Sequence, residues 1–248
     1  MTSDPAVPDP AARAAELGAR VDAATSKLLQ SAAGLADEQA RAPSLLPGWS
    51  RGHLLTHIAR NADSLRNLLI WARTGIETPQ YKSDEAREQG VLAGAGRPSA
   101  QLVEDLGASA AAFTAEAASL ANSDWAAEVR GLRGPPHPAW YTLWRRLTEV
   151  EVHHVDLDAG YRPADWPAAF ATESLERVAG DFSKPDSPAA LLVSADSGHA
   201  YRIGPAGSQP AAEITGPTAQ LAAWLIGRSA GAGLTAVPAG PLPPLPAW

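Results

Sequence analysis

Apolar residues recur three or four positions apart in four long stretches of the first 160 residues, and this spacing predicts amphipathic helices. Ser50 and Ser99 stand where the second and third helices begin, and serine favours the N-cap position. Gly75 follows the second stretch and favours a helix C-terminus. Four helices of this length predict a four-helix bundle. The stretches cover about residues 11–35, 51–74, 99–120 and 139–159.

Segments at the N-terminus and after the second helix lack this periodicity. Residues 1–10 are rich in proline and aspartate, and we expect them to be frayed. Residues 76–98 are predicted to form an irregular connection of roughly twenty residues, a length that is often functional.

After Gly160 the pattern changes to short apolar segments separated by turn residues. This change predicts a small α+β domain with three strands and two helices, followed by a proline-rich tail from Pro238 that excludes regular structure. The fold class is therefore α+β and multidomain, with a helical bundle over 1–165 and the small domain over 166–248. The predicted strands cover 189–194, 201–203 and 212–215, and the helices 173–182 and 217–226.

Composition removes several classes of function. The formal net charge is −7 and no basic run is present, so neither nucleic acid nor an anionic membrane is an expected partner. No apolar run approaches the ~18 residues of a membrane span, and the start lacks the features of a secretion signal, so a cytoplasmic location is expected. The chain contains no cysteine, so any thiol chemistry must use a thiol from outside.

Potential metal ligands recur at four-residue spacing in the second and fourth predicted helices. The second carries His53 and His57, and the fourth carries Glu149 and His153. Residues four apart share one face of a helix, so each pair can aim at one point, and two such helices side by side could hold a divalent metal.

The spacing alone leaves the ligand set open. It does not choose between His53 and His57, and histidines on apolar helix faces are often core or surface residues. Glu151, His154 and Asp156 are expected to point away from these pairs. Alternatively, His154 and Asp156 act as outer groups, which do not bind the metal but orient the ligands that do.

Two arginines are candidates for binding an anionic substrate. Arg60 follows His57 by about one turn, although a solvated position is equally compatible with the sequence. Arg228 stands near the end of the last predicted helix, where the helix dipole alone favours an arginine. Four tryptophans are assigned to the core of the bundle: Trp49, Trp71, Trp140 and Trp144.

These segments together resemble a known family, the mycothiol-dependent maleylpyruvate isomerases, which belong to the wider DinB-like group of thiol-using metal proteins. The resemblance spans nearly the whole chain. Its motifs are two metal-binding segments, a helix-to-loop segment and an arginine in the C-terminal domain. They correspond to residues 46–57, 142–157, 71–81 and Gly227-Arg228.

The resemblance implies a ligand set and a fold. It selects His57 over His53 and makes His57, Glu149 and His153 the metal ligands. It implies a DinB-like four-helix bundle followed by the small α+β domain, and it gives Arg228, with Arg60 as a lesser candidate, the role of binding the anionic substrate.

The resemblance also implies a reaction, the cis-trans isomerisation of maleylpyruvate to fumarylpyruvate through thiolate addition to the double bond. Its cofactors would be mycothiol and a divalent metal, with Zn²⁺ expected, although Ni²⁺, Co²⁺ or Fe²⁺ suits the same ligands. Small molecules are the expected partners, and a monomer is the expected state. Two alternatives remain: a metal-dependent mycothiol S-transferase, and a non-catalytic ligand-binding protein.

Overall fold

The computed structural model describes residues 9–248, so most of the segment expected to be frayed lies outside the described residues. The described residues fold as two compact units, which divide after Gly160. None of the helices among the described residues has the length and hydropathy needed to cross a membrane.

The first unit is built on four long helices, as predicted. Helices α1 and α3 each contact both α5 and α6, so the four helices close into a ring around a shared apolar core. Two shorter helices, α2 and α4, flank this bundle, and strands β1 and β2 form a small antiparallel pair. The elements are α1 Pro10–Ala33, α2 Asp37–Arg41, α3 Arg51–Thr74, α4 Asp84–Gly94, α5 Ser99–Ala118, β1 Glu128–Val129, β2 His137–Pro138 and α6 Tyr141–Asp156.

Both ends of α3 follow from local sequence. The Ser50 hydroxyl accepts a hydrogen bond from the backbone N–H of His53, which satisfies one of the free donors at the helix start. Gly75 ends the helix in the left-handed conformation, with φ of 70°, which costs glycine no steric strain. The predicted limits of this helix are therefore confirmed.

The predicted cap of α5 is wrong. Ser99 is the first residue of the helix and Pro98 precedes it. The Ser99 hydroxyl donates to the carbonyl of Leu35, and its N–H donates to Asp37. The hydroxyl predicted to cap the helix therefore makes a tertiary hydrogen bond instead.

The predicted irregular connection over residues 76–98 is wrong in its second half, where α4 forms. Ser83 caps this helix by accepting a hydrogen bond from Ala86, and acidic residues occupy its first turn, where the helix dipole favours them. The helix packs on α3. Only Val91 and Gly94 are buried, so the segment shows little apolar periodicity.

The second unit is a small sheet with two helices that pack on each other. The strand order is β4–β3–β5–β6, with β3 parallel to β5 and the outer pairs antiparallel. The three predicted strands are confirmed, whereas β6 was not predicted and α7 begins five residues earlier than expected. The elements are α7 Ala168–Asp181, β3 Ala190–Ser194, β4 Ala200–Ile203, β5 Ala212–Gly216, α8 Thr218–Leu225 and β6 Thr235–Val237.

Candidate metal centre

Contact between α3 and α6 brings three potential ligands to one point. Nε2 of His57 on α3 lies 3.1 Å from a carboxylate oxygen of Glu149 on α6. Nε2 of His153, one turn after Glu149, lies 3.3 Å from the same oxygen. One ligand atom from each residue lies within 4.8 Å of the others. We call His57, Glu149 and His153 the triad.

This arrangement fits a divalent metal. Ligands about 2.0–2.1 Å from a tetrahedral ion lie roughly 3.3 Å from one another, close to the separations in the triad. Two imidazoles and one carboxylate are a known ligand set for Zn²⁺. The side chain of Glu149 is 31% exposed while that of His57 is 4% exposed, so the triad is reached from the Glu149 side.

The surroundings of the triad set its protonation. Burial lowers the pKa of His57, which favours the neutral imidazole that a metal requires. Burial by itself would raise the pKa of Glu149, but hydrogen bonds with His153 and His57 hold it well below its usual value. Burial likewise opposes the charge on His153, yet Asp156 and Glu149 raise the pKa of that imidazole to about 9.

The two imidazoles are held in different ways. Nδ1 of His153 lies 2.8 Å from a carboxylate oxygen of the buried Asp156, so Asp156 orients this ring as an outer group. Nδ1 of His57 is buried and has no hydrogen-bond partner among residues 9–248. The ring of Trp49 packs edge-on against His57 at 5.4 Å, so packing positions that imidazole. Trp49, predicted to be bundle core, is thus a neighbour of the triad.

The other candidate histidines lie outside the triad. His53, in the first turn of α3, hydrogen-bonds Ser50 through Nδ1 at 2.7 Å and serves the helix cap. His154 is buried, and its Nε2 lies 2.8 Å from the hydroxyl of Ser31 on α1. Of the two outer groups considered from sequence, Asp156 is the one whose carboxylate contacts His153.

The two candidate arginines lie in different units. In the first, Arg60 contacts Asp105 at 2.6 Å and Asp63 at 3.2 Å, so two carboxylates already balance its charge. In the second, Arg228 follows α8, and its guanidinium donates to the carbonyl of Ile226 at 3.0 Å.

Comparison with known proteins agrees with this description. The model of the mycothiol maleylpyruvate isomerase N-terminal domain matches residues 6–158, and the model of the MDMPI C-terminal domain matches residues 165–247. The chain belongs to the mycothiol maleylpyruvate isomerase family. The family membership inferred from the motifs is thereby confirmed.

Two solved structures resemble this member of the mycothiol maleylpyruvate isomerase family over its full length. One is the crystal structure of the mycothiol-dependent maleylpyruvate isomerase, and the other is that of a histidine-to-alanine mutant of the isomerase. Each has 28% sequence identity, a TM-score of 0.85 and complete coverage of both chains. No curated protein matches the sequence.

One further residue beside the triad of this family member was not predicted from the sequence. Arg145 precedes Glu149 by four residues on α6 and donates to the side-chain oxygen of Gln80 at 3.1 Å. Burial lowers its pKa, whereas the charge of Glu149 raises it. The four-residue spacing from Glu149 is a signal that could have identified it.

Proposed function

We propose that this protein catalyses the mycothiol-dependent isomerisation of maleylpyruvate to fumarylpyruvate. The observation that carries the proposal is the triad, a partly buried set of two imidazoles and one carboxylate between two bundle helices. It occurs in a chain that matches both domains of the family and aligns over its whole length with the solved isomerase.

In this proposal the chain's own residues prepare a thiol and hold a substrate. His57, Glu149 and His153 would bind a divalent metal, which when bound deprotonates a coordinated thiol. The thiol comes from mycothiol, since the chain has no cysteine. Reversible thiolate addition makes the cis double bond single, so that it can rotate before elimination gives the trans product.

The substrate is a dianion, so the proposal also needs groups that bind carboxylates. We give this role to Arg228, whose guanidinium can bind a carboxylate with two parallel hydrogen bonds and steady the negative charge that develops on addition. Arg60 receives no direct contact with substrate in this proposal, because Asp63 and Asp105 already neutralise it.

The finer assignments belong to the same proposal. We expect Zn²⁺ at the triad because two imidazoles and a carboxylate suit it, and we expect a monomer acting in the cytoplasm. Elemental analysis of protein purified without added metal tests the identity of the metal, and light scattering in solution tests the monomeric state.

The test of function is the conversion of maleylpyruvate, followed by absorbance, with metal-loaded protein in the presence and absence of mycothiol. We expect turnover that needs both mycothiol and the metal, that is lost after chelation and that falls at least tenfold in Arg228→Ala with normal metal content. A stable mycothiol adduct as the product would instead identify an S-transferase. Full metal occupancy without any thiol-dependent reaction would contradict the proposal.

A further inference from the structure

A cavity of about 320 Å³ lies within the first unit, between α3, the following loop and α4. Its lining is unusually cationic for a protein with a net charge of −7. Four cationic residues and one acidic residue line it: Arg60, Arg66, Lys82, Arg87 and Asp63. We call this the α4 cavity.

Most of the positive charge in the α4 cavity is not balanced by carboxylates. Arg60 pairs with Asp63 and with Asp105. Arg66, Lys82 and Arg87 form no ion pair with any residue in the described part of the chain, 9–248. A concave surface with several unpaired cations favours an anionic ligand.

Tyr81 adds a hydrogen-bond donor to the same lining. Its hydroxyl is buried close to Ser64 and Arg87, but it makes no hydrogen bond of normal length with any of the described residues. A buried hydroxyl without a partner costs free energy, and a bound ligand that accepts its hydrogen bond removes this cost. Burial raises the pKa of this hydroxyl, and the nearby Ser64 and Arg87 only partly oppose the rise, so Tyr81 keeps its proton at neutral pH.

The buried side chain of Gln80 fixes the loop that carries Tyr81. Its amide nitrogen donates to Ser64 on α3 at 3.3 Å. Its oxygen accepts from the backbone of Leu132 at 2.9 Å and from Arg145 on α6 at 3.1 Å. Asn67 also donates to the carbonyl of Gln80 at 3.3 Å. The loop is therefore held at four points, and Tyr81 is presented from a rigid position.

These contacts place the α4 cavity next to the triad. On α3, Ser64 follows His57 by seven residues, so the two share a face about 10 Å apart along the axis. On α6, Arg145 precedes Glu149 by one turn, and Gln80 joins Arg145 to Ser64. The charge of Arg87 also acts on His57.

We propose that Arg87 and Tyr81 bind one carboxylate of the substrate in the α4 cavity, with two guanidinium N–H groups and one phenolic O–H as donors. This inference rests on the proposed function, whose substrate carries two carboxylates. Under this inference the first unit contributes directly to substrate selection. Arg66 and Lys82, which form no ion pair, add a positive electrostatic potential around the bound carboxylate.

The test uses metal-loaded full-length protein carrying Arg87→Ala or Tyr81→Phe, with Arg41→Ala as a control that removes an exposed arginine of the same charge. The variants are compared in their KM for maleylpyruvate and for mycothiol, and in their metal content. Calorimetric titration with maleate, a dicarboxylate that needs no turnover, measures binding independently of activity.

We expect Arg87→Ala to raise the KM for maleylpyruvate and the Kd for maleate at least about tenfold, and Tyr81→Phe to raise both about three- to tenfold. The metal content and the KM for mycothiol should not change, and Arg41→Ala should match the wild type. Values within twofold of the wild type in both variants would overturn the inference, as would a rise confined to mycothiol or a loss of metal. A wild type that binds maleate through these residues without isomerising maleylpyruvate would contradict the proposed function alone.

Discussion

Asp156 and Glu149 hold opposite sides of the same imidazole. Nδ1 of His153 lies 2.8 Å from Asp156, and Nε2 lies 3.3 Å from Glu149. A carboxylate that accepts a hydrogen bond from Nδ1–H leaves the lone pair of Nε2 for a metal and raises the basicity of the ring. Asp156, which is 1% exposed, is therefore expected to set both the orientation and the strength of His153 as a ligand.

We predict that Asp156→Asn lowers metal affinity about 10- to 100-fold, because the neutral amide polarises His153 less. Competition with a chromophoric chelator measures this affinity. Asp158→Asn is the matched control, since Asp158 is exposed and pairs with Arg51 away from the triad. Equal affinities in the two variants would contradict the role of Asp156.

The metal-free protein should lose stability between pH 6.5 and pH 9. Asp156 and Glu149 raise the pKa of His153 from its usual 6.5 to about 9 against the effect of burial. A group whose pKa is raised by folding stabilises the fold fully below its unfolded pKa, and this contribution is lost as the pH rises through its folded pKa.

The metal-loaded protein should not lose this stability, because ligation requires the neutral imidazole and His153 then has no proton to release as the pH rises. The difference in melting temperature between loaded and chelated protein should therefore widen from pH 6.5 to pH 9, as recorded by circular dichroism. A difference that stays constant or narrows would show that His153 is neutral throughout in the metal-free protein.

His53 and His57 should respond differently to the same substitution. We predict that His57→Ala loses the metal, since it removes one ligand of the triad. His53→Ala should keep one equivalent of metal and lose about 1 kcal/mol of stability, because His53 hydrogen-bonds the N-cap residue Ser50. Elemental analysis and urea unfolding distinguish the two, and loss of metal from both would mean that the triad is incomplete.

Two glycines in bundle helices should give opposite results when replaced by alanine. A Cβ at Gly52 would clash with the backbone carbonyl of Ala95, just after α4, so Gly52→Ala should cost about 1–3 kcal/mol. A Cβ at Gly18 would meet nothing within 4 Å, so Gly18→Ala should stabilise α1 by about 0.5–1 kcal/mol. Urea unfolding of both variants is the measurement, and a neutral Gly52→Ala would show that α4 shifts at little cost.

The bundle could be predicted from sequence because its helices carry their own signals. Ser50 and Gly75 mark the limits of α3 through the preferences of a capping hydroxyl and a left-handed glycine. Helix α4 could not be predicted from periodicity because only two of its residues are buried. Its place depends on packing against α3, where a Cβ at Gly94 would collide with Thr56, and no local pattern records such a contact.

The candidate site was predictable in part. Four-residue spacing located the candidate pairs His53–His57 and Glu149–His153, but only the family resemblance selected His57 over His53. The structure explains this difference between the two histidines. His53 lies in the first turn of α3 and contacts Ser50, whereas His57, one turn later, faces α6. The α4 cavity was not predictable, since its lining comes from a helix, a loop and a second helix that only the fold brings together.

The triad also has a consequence for the order of folding and metal uptake. His57 and Glu149 are 92 residues apart in the sequence, so an unfolded chain would have to close a long loop to present both to one ion. Glu149 and His153 alone, one helical turn apart, offer only a weak two-point site. Metal uptake should therefore follow the docking of α3 on α6, after which the ion acts as a cross-link that resists their separation.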